Sequence, residues 1–347
     1  MLDSARQSPQ HTDNSEHPIA TLPKPVLAAA KVLVTGGLLT WIVSRVDVES
    51  MRGVLAQADA WLIVYAVGAL ALALGVTGLR WWLLYRHLDS SIRPGELLGA
   101  FWLGLCCNQL MPTAVGGDVI RTAYLAARQH SLDHLICSAM VDRFSGMMST
   151  AILAAAGLAF APVALPFEAL RWLPAVFVAL GITGFVALTS SPVRRLVDRQ
   201  LEGRSHGKIV RFLLGLLHQL TSYGGAWRLI SFSIFVSVFG QLMVVSAYAL
   251  LGSALHLDLG FRAYLFLVPI MLFVSNLPIS VGGIGVRETS VVALLGLMGV
   301  PEQSAIGVSL LFLASFLLLT LPGGLTLLLD RRSVRQQAQR SPAAPPS

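Results

Sequence analysis

Residues 108–125, NQLMPTAVGGDVIRTAYL, and residues 276–288, NLPISVGGIGVRE, decide the fold of this 347-residue chain. Each stretch interrupts an apolar run with a proline and paired glycines. Proline removes a backbone donor and frees a carbonyl one turn back, while paired glycines allow backbone conformations closed to other residues. The apolar arms on either side hold about 15 residues or fewer, which at 1.5 Å per residue is too short to cross roughly 30 Å of hydrocarbon. We therefore predict that both segments are re-entrant hairpins or paired half-helices.

The rest of the chain has the composition of a membrane protein. Apolar residues make up 55% of it and charged residues only 12%, with a mean hydropathy of +0.70, whereas an ordinary soluble domain is roughly 25% charged. Six segments match a bilayer span in length and apolarity: 26–45, 60–79, 144–165, 172–190, 229–251 and 304–329. The predicted fold class is all-α: a polytopic integral membrane protein of about six full spans plus two Pro-Gly-Gly-broken re-entrant hairpins. A soluble enzyme, a disulfide scaffold and a nucleic-acid-binding protein are excluded.

The ends of the chain are polar and the cysteines are few. Residues 1–25 and 331–347 are predicted to be disordered cytoplasmic tails, and 26–330 to be a single transmembrane domain. The three cysteines lie in or beside apolar segments without metal-ligand spacing: Cys106, Cys107 and Cys137. We expect them to be buried thiols, and we expect neither a metal nor a cofactor.

The two broken segments are copies of one motif. Five residues recur 166 positions later at the same spacing: Pro112, Val115, Gly116, Gly117 and Arg121 as Pro278, Val281, Gly282, Gly283 and Arg287. The same offset carries the span 60–79 onto 229–251, so the repeat unit is span, broken segment, span. We predict a duplication, with repeat 1 at about 60–165 and repeat 2 at about 226–330. A chance match of glycine and proline, which are frequent in membrane helices, is the alternative.

The distribution of basic residues predicts the orientation. Arginine and lysine concentrate in the loop 191–211, in the C-terminal tail and directly after the span 60–79, where Arg80, Arg86 and Arg93 follow. By the positive-inside rule these regions are cytoplasmic, and each broken segment between them contributes either no crossing or two. The first then opens from the cytoplasm and the second from outside, so the repeats are inverted copies. We place both termini on the cytoplasmic side of a bacterial-type inner membrane.

The chemistry of the broken segments indicates an anion site. Opened backbone at membrane depth is tolerated where it lines a cavity or is buried in protein, and a helix that restarts there presents its amino-terminal amides to the break. Arg121 and Arg287 stand four residues beyond the second glycine of their motifs, and a guanidinium suits phosphate. Seven residues form the predicted headgroup or anion site: Arg121, Arg287, Arg143, Asn108, Asn276, Asp118 and Glu288. The predicted hinges are Pro112, Gly116, Gly117, Pro278, Gly282 and Gly283.

Simpler roles for the charged residues stay open at this stage. Arg121 could pair with Asp118 and Arg287 with Glu288, or each arginine could extend to an interface. Asp142 and Arg143 could form a local salt bridge where the next helix begins.

Other polar residues could cap freed backbone groups or join helices. Asn108 and Asn276 could cap freed backbone groups. Gln241 is expected to make a hydrogen bond between helices. The stretch KIVRFLLGLLHQL from Lys208 is predicted to be an amphipathic helix on the cytoplasmic face.

These motifs resemble a known family. The pattern N-x-L-x-P-x-x-V-G-G-D-x-x-R-x-x-x-L from Asn108, V-D-R-F at 141–144, and N-L-P-I-S-V-G-G-I-G-V-R-E from Asn276 resemble the flippase-like membrane family also described as the transmembrane region of lysylphosphatidylglycerol synthase. The resemblance covers nearly the whole chain after residue 25. It implies that the broken-segment motifs and Arg143 are signature positions of the family.

The resemblance also implies a function. In fused members of the family a soluble aminoacyltransferase domain follows the membrane region, and the membrane region is thought to translocate the lipid product; we expect this chain to lack that domain. Stand-alone relatives handle polar lipids, including polyprenyl-phosphate-linked sugars and hopanoid precursors. We expect a lipid translocase rather than an enzyme, with anionic or polyprenyl-phosphate-linked membrane lipids, and lipid-biosynthesis enzymes, as partners. The alternative is an accessory subunit or enzyme of a polyprenyl-phosphate glycan or hopanoid pathway.

The topology gives a first testable prediction. Single cysteines at positions 90, 170 and 205, introduced into a chain whose three native cysteines are replaced, should react differently with a membrane-impermeant thiol reagent. Positions 90 and 205 should react only from the cytoplasmic side and position 170 only from outside, because the basic regions are retained inside. Labelling of positions 90 and 170 from the same side would contradict the topology.

Overall fold

The computed structural model describes residues 53, 56–110, 116–159, 172–202, 208–275 and 286–326. Within these ranges the secondary structure is helical, and no strand is present. The helices are α1 Ala60–Leu88, α2 Pro94–Leu110, α3 Gly116–Ala126, α4 Leu132–Ala159, α5 Leu173–Leu188, α6 Ser191–Glu202, α7 Lys208–Thr221, α8 Trp227–Ala254, α9 Phe261–Ser275, α10 Val286–Gly296 and α11 Glu302–Thr320. Short 3₁₀ turns follow α7 at Ser222–Gly225 and α11 at Leu321–Gly324.

The long helices confirm a multi-pass membrane protein. Three of them are long and apolar enough to cross a bilayer: α1, α8 and α11 with its 3₁₀ turn. Helix α5 and the start of α6 meet the same criterion as one span bent by 49°. The predicted span 144–165 falls on α4, but that helix begins already at Leu132 and includes Asp133, Asp142 and Arg143, which lower its hydropathy. The predicted span 26–45 lies outside the described residues.

The first broken segment is a hairpin of two short helices. Helices α2 and α3 have 17 and 11 residues, about 25 and 16 Å at 1.5 Å per residue, so neither crosses the hydrocarbon alone. Gly104 faces Gly117 so closely that a Cβ on Gly117 would lie 2.1 Å from the Gly104 carbonyl oxygen. Asn108 Oδ1 accepts a hydrogen bond of 2.7 Å from the Gly117 N–H, so Asn108 does cap freed backbone. The contacts of Gly104 and Asn108 with α3 show that the two helices run antiparallel.

The second broken segment is described only on its two sides. Helix α9 precedes it and helix α10 follows it. Its predicted hinges and Asn276 lie in 276–285, outside the described residues, as does Pro112 in the first segment.

Helices α1 and α8 form the central pair of the molecule, and they are antiparallel. At one end the Asp59 N–H donates to the Ala254 carbonyl over 3.0 Å. Near the middle, a Cβ on Gly240 would lie 3.7 Å from the Ala73 carbonyl oxygen. Because Ala73 and Gly240 are small, the two backbones approach closely there, as is usual where helices pack in membranes.

Two glycines fix where the helices from one part of the chain contact those from the other. A Cβ on Gly157 of α4 would lie 2.4 Å from the Leu265 carbonyl oxygen of α9, and a Cβ on Gly323 would lie 2.1 Å from the Trp102 carbonyl oxygen of α2. Gly157 and Gly323 are themselves 166 residues apart. Each therefore packs against the backbone of a short helix from the other predicted repeat.

Polar contacts join α4 to α8 inside the apolar core. Ser233 donates to Ser145 over 2.9 Å, and Gln241 Nε2 donates to Thr150 Oγ1 over 3.0 Å. The second contact confirms the predicted interhelical role of Gln241. Hydrogen bonds of this kind contribute about 0.6 to 2 kcal/mol each within membranes.

The remaining predictions about local structure have mixed outcomes. The helix predicted from Lys208 is α7, and it is preceded by α6, so Arg194, Arg195 and Arg199 lie on a helix rather than in an extended loop. Cys106 and Cys137 are buried and Cys107 is half-buried, all as free thiols.

The close packing at Gly157 predicts that alanine destabilises the protein there but not at a glycine with free space around it. Gly157→Ala should lower the free energy of unfolding by about 1 to 3 kcal/mol, because its methyl group would collide with the backbone of α9. Gly184→Ala is the matched control: Gly184 also lies within a helix, but nothing approaches its Cβ position within 4 Å, and alanine there should be neutral or slightly stabilising. Thermal unfolding of both variants in detergent measures the difference. Equal effects would contradict the packing.

Candidate functional site: a charged chamber

A cavity of about 320 Å³ lies among α1, α2, α3, α4 and α8. Its apolar and small residues come from α1, α2 and α4, and its uncharged polar residues are Thr77, Asn108, Thr150 and Gln241. Charged side chains line it at five positions: Arg80, Asp118, Arg121, Asp142 and Arg143. We call this cavity the chamber. It places charge inside a membrane protein, where charged residues are costly and concentrate at functional sites.

The five charged residues form an alternating series. Arg80 holds Asp142 through Nε and Nη2, at 2.8 and 2.7 Å from Oδ1. Arg121 Nη2 lies 3.5 Å from the other oxygen of Asp142 and 2.9 Å from Asp118 Oδ1. Asp118 Oδ2 in turn accepts a hydrogen bond from Arg143 Nε. Positive and negative groups thus follow one another from α1 to α4, which offsets much of the cost of removing them from water.

Aromatic rings and a glycine position Arg121. Its guanidinium lies 3.9 Å from the centre of the Trp81 ring and 5.7 Å from that of Phe101, which favours a cation through the ring quadrupole. Gly104 leaves room for its aliphatic stem: a Cβ there would lie 3.2 Å from the Arg121 side chain. The side chain is buried, and its Nε donor has no partner among the described residues. These contacts therefore hold Arg121 in place, while its Nε–H has no acceptor among the described residues.

Four of the predicted site residues meet at the chamber. Asn108, Asp118, Arg121 and Arg143 all line it. Asp118 does pair with Arg121, so the simpler role left open for that arginine is present, and an anion site at Arg121 remains a prediction.

Sequence reasoning missed Arg80 and Asp142. Arg80 was assigned to a cytoplasmic loop after a span ending at 79, which is wrong, because α1 continues to Leu88 and buries Arg80 two turns before its end. The missed signal is the run LRWWLLYRHL at 79–88, which contains neither glycine nor proline. Asp142 was considered only as a local partner of Arg143, whereas it joins α4 to Arg80 and Arg121.

Arg287 and Glu288 lie in different surroundings. Arg287 contacts Glu288 Oε1 through Nη2 at 2.6 Å and Nε at 3.0 Å. Its guanidinium also lies 5.2 Å from the centre of the Phe312 ring. Neither residue lines the chamber. The pairing left open at the sequence level is thus present, and an anion site at Arg287 remains a prediction.

Four of the five charges of the chamber have no charged counterpart in the second predicted repeat. At the offset of 166 residues the positions of Arg80, Asp142 and Arg143 correspond to Ser246, Val308 and Ser309. Only Arg121 keeps its type, as Arg287. The charged cluster therefore belongs to the first predicted repeat alone.

A second cavity of about 420 Å³ adjoins the chamber between α3 and α4. We call it the groove. Its walls are mostly apolar or small: Val119, Thr122, Ala123, Leu132, Ile136, Ala139 and Met140. Asp118 and Arg143 line both cavities. Their ion pair therefore stands between the charged chamber and the apolar groove.

A comparison with protein families agrees with this structure. The family model described as the lysylphosphatidylglycerol synthase TM region matches residues 28–323, which is most of the chain. A search of curated proteins found no match. The chain belongs to the lysylphosphatidylglycerol synthase TM region family, and is a membrane protein of lipid-related function.

The alternating series predicts a large effect at Arg80. Arg80→Met should lower the free energy of unfolding by about 3 to 5 kcal/mol, because Asp142 would lose its two shortest ion-pair contacts while staying buried. The matched control is Arg86→Met on the same helix, where the arginine is exposed and the expected loss is about 1 kcal/mol or less. Denaturation in detergent measures both. Adding Asp142→Asn to Arg80→Met should restore part of the loss; equal losses at Arg80 and Arg86 would contradict the assignment.

Proposed function

We propose that this member of the lysylphosphatidylglycerol synthase TM region family is a translocase, which moves a phosphate-bearing or otherwise polar lipid between the leaflets. The observation that carries the proposal is the chamber with its three arginines and two aspartates. Its formal charge is one positive, so it favours an anionic headgroup. Apolar solutes would not need such a site, and its ion pairs would be costly to retain without a use.

The groups around Arg121 suit a phosphate. A guanidinium presents donors in a planar fork that matches phosphate oxygens, and the Nε of Arg121 has no acceptor in the part of the chain that the structure describes. The amino terminus of α3, where Asp118 lies in the first turn, adds a partial positive charge on the same side. Asp118 is then the internal anion that a phosphate would replace at Arg121 and Arg143.

Alternating access of inverted repeats is the mechanism we propose. The central helices α1 and α8 are equivalent under the repeat and pack antiparallel, with the contact between Ala73 and Gly240 near the middle. A two-fold axis across such a pair lies in the membrane plane. The exchanged contacts of Gly157 and Gly323 obey the same symmetry. Rocking of one repeat against the other would expose the chamber to each side in turn, with about six spans and two re-entrant hairpins in all.

The location and partners follow from the same proposal. We place the protein in a bacterial-type inner membrane with both termini in the cytoplasm, where enzymes of lipid biosynthesis would supply its substrate. The sequence has no Walker loop, GxSxG or HExxH motif, so we favour transport over catalysis. Arg287 remains a proposed second anion position, and to bind a phosphate it would have to leave Glu288.

Reconstituted vesicles test the proposal. The purified protein should accelerate movement of a fluorescent phosphatidylglycerol between leaflets, measured by reduction of the outer-leaflet fluorophore with dithionite. Arg121→Gln should slow that movement at least about tenfold, because one charge-assisted hydrogen bond contributes about 1.5 to 3 kcal/mol and 1.4 kcal/mol is tenfold.

The matched control is Arg262→Gln, which removes an exposed arginine at the start of α9 and should leave the rate unchanged. Arg121→Gln should unfold at a lower temperature than the control, because Asp118 and Asp142 lose a partner, so both rates are measured below the unfolding transition of either variant, where the loss is not a folding defect. Full activity of Arg121→Gln, or lipid that is chemically altered but not moved, would overturn the proposal.

A further inference from the structure

We propose that Glu288 is a proton-binding site that couples the protein to a proton gradient, because one proton is taken up whenever Arg287 leaves it. This inference rests on the proposed function and adds its source of energy. It follows from the burial of the pair, from the contrast between Glu288 and the aspartates of the chamber, and from the charge balance of anion binding at Arg287.

Apolar side chains surround the pair of Arg287 and Glu288. The side chain of Glu288 is 2% exposed and that of Arg287 is 11% exposed. The guanidinium lies 5.2 and 5.6 Å from the ring centres of Phe312 and Phe316 in α11. Phe312 stacks on Tyr248 of α8 at 4.1 Å, and both belong to an apolar cluster. A carboxylate in these surroundings depends on its cation, since a buried charge left alone is strongly destabilising.

The aspartates of the chamber are held differently from Glu288. Each of them contacts two arginines, so it keeps one cation when the other is withdrawn. Among the described residues, the ion-pair contacts of Glu288 are with Arg287 alone. A buried carboxylate that loses its cation takes up a proton rather than remain charged. Withdrawal of Arg287 should therefore protonate Glu288, whereas the chamber aspartates should stay ionised.

The helices that pack on α10 are α9 and α11, and they bring few titratable groups towards the pair. Those within their bounds are Arg262, Tyr264 and Glu302. These three lie about 10 to 15 Å along their helices from Met271 and Phe312, the residues that contact Tyr248. Tyr248 is close to both charges, and its hydroxyl donates to Met271 Sδ. Arg287 is therefore the charged group that controls the protonation of Glu288.

The charge balance makes a proton and an anion bind together. With Arg287 on Glu288 the pair is neutral. When a phosphodiester anion binds Arg287 and a proton from water binds a carboxylate oxygen of Glu288, the site is neutral again. The anion without the proton would bury one net negative charge. On the other side the proton returns to water, the anion leaves with its lipid, and Arg287 returns to Glu288, so one proton accompanies each lipid in the same direction.

A pH gradient across proteoliposomes tests the coupling. With the interior more acidic by about one pH unit, fluorescent phosphatidylglycerol should accumulate about three- to tenfold in the outer leaflet, because one proton per lipid transmits at most the tenfold ratio of protons. The leaflet ratio is measured with dithionite, at a constant external pH. Accumulation in the inner leaflet, or movement that does not respond to the gradient, would overturn the proposal.

Two variants and a control assign the response to Glu288. Glu288→Gln cannot bind a proton and should lose the accumulation, whatever rate of movement it retains. Glu288→Asp keeps a carboxyl group and should restore it, which a loss of packing alone would not predict. Glu302→Gln is the matched control at the start of α11 and should accumulate lipid as the unchanged protein does. Accumulation by Glu288→Gln equal to that of the control would reject Glu288 as the proton site.

Infrared difference spectroscopy of the full-length protein in nanodiscs tests the proton site without transport. Acidification should produce the carbonyl stretch of a protonated carboxyl group that is missing in Glu288→Gln and present in Glu302→Gln. Dimethyl phosphate, added at constant pH, should increase that band, because the anion and the proton bind together. A band that is the same in all three proteins would overturn the proposal.

The two proposals fail in distinguishable ways. The Glu288 band without movement between leaflets would retain the proton site and reject translocation. Movement that depends on Arg121, with neither the band nor a response to the gradient, would retain translocation and reject the proton site.

Discussion

A buried charge within a membrane protein needs a polar partner, and in this chain the partners are other charges, which join helices α1, α3 and α4. Arg80, Asp142, Arg121, Asp118 and Arg143 come from three helices, and each contacts the next in the series. Because no member can be removed without leaving its neighbour partly unpaired, the series fixes the relative positions of α1, α3 and α4 more tightly than apolar contacts would. The close packing of α2 against α3 at Gly104 and Gly117 then determines where the series lies.

The charged residues of the chamber do not follow the predicted repeat of the helices. Helices α1 and α8 pack antiparallel, with small residues at their contact, as the predicted inverted repeat requires. The charges do not follow that repeat, since Ser246, Val308 and Ser309 stand where Arg80, Asp142 and Arg143 would recur. Under the proposed mechanism, a frame built from copies would have two equivalent conformations, and its one charged cluster would be the single site presented in each.

The sequence predicted much of this molecule and missed one part for a definable reason. Apolar length and the broken motifs predicted the membrane fold and the paired short helices, and four chamber residues followed from the motif and its neighbours. Arg80 was missed because a positive-inside argument treats a basic residue at the end of an apolar run as lying outside the membrane. Whether such a residue is buried depends on a partner from elsewhere in the chain, here Asp142, 62 residues on. Pairing over that distance cannot be read from local patterns.

The glycine contacts also bear on how the chain is assembled. Gly323, near the end of the last described helical segment, packs on the backbone of α2 at Trp102. Gly157 packs on the backbone of α9 at Leu265, which is synthesised more than one hundred residues later. During synthesis the first broken segment is thus inserted long before the residue that closes against it has left the ribosome. The first half must persist in the bilayer as an unfinished structure, and the two halves complete one another only when the whole chain is present.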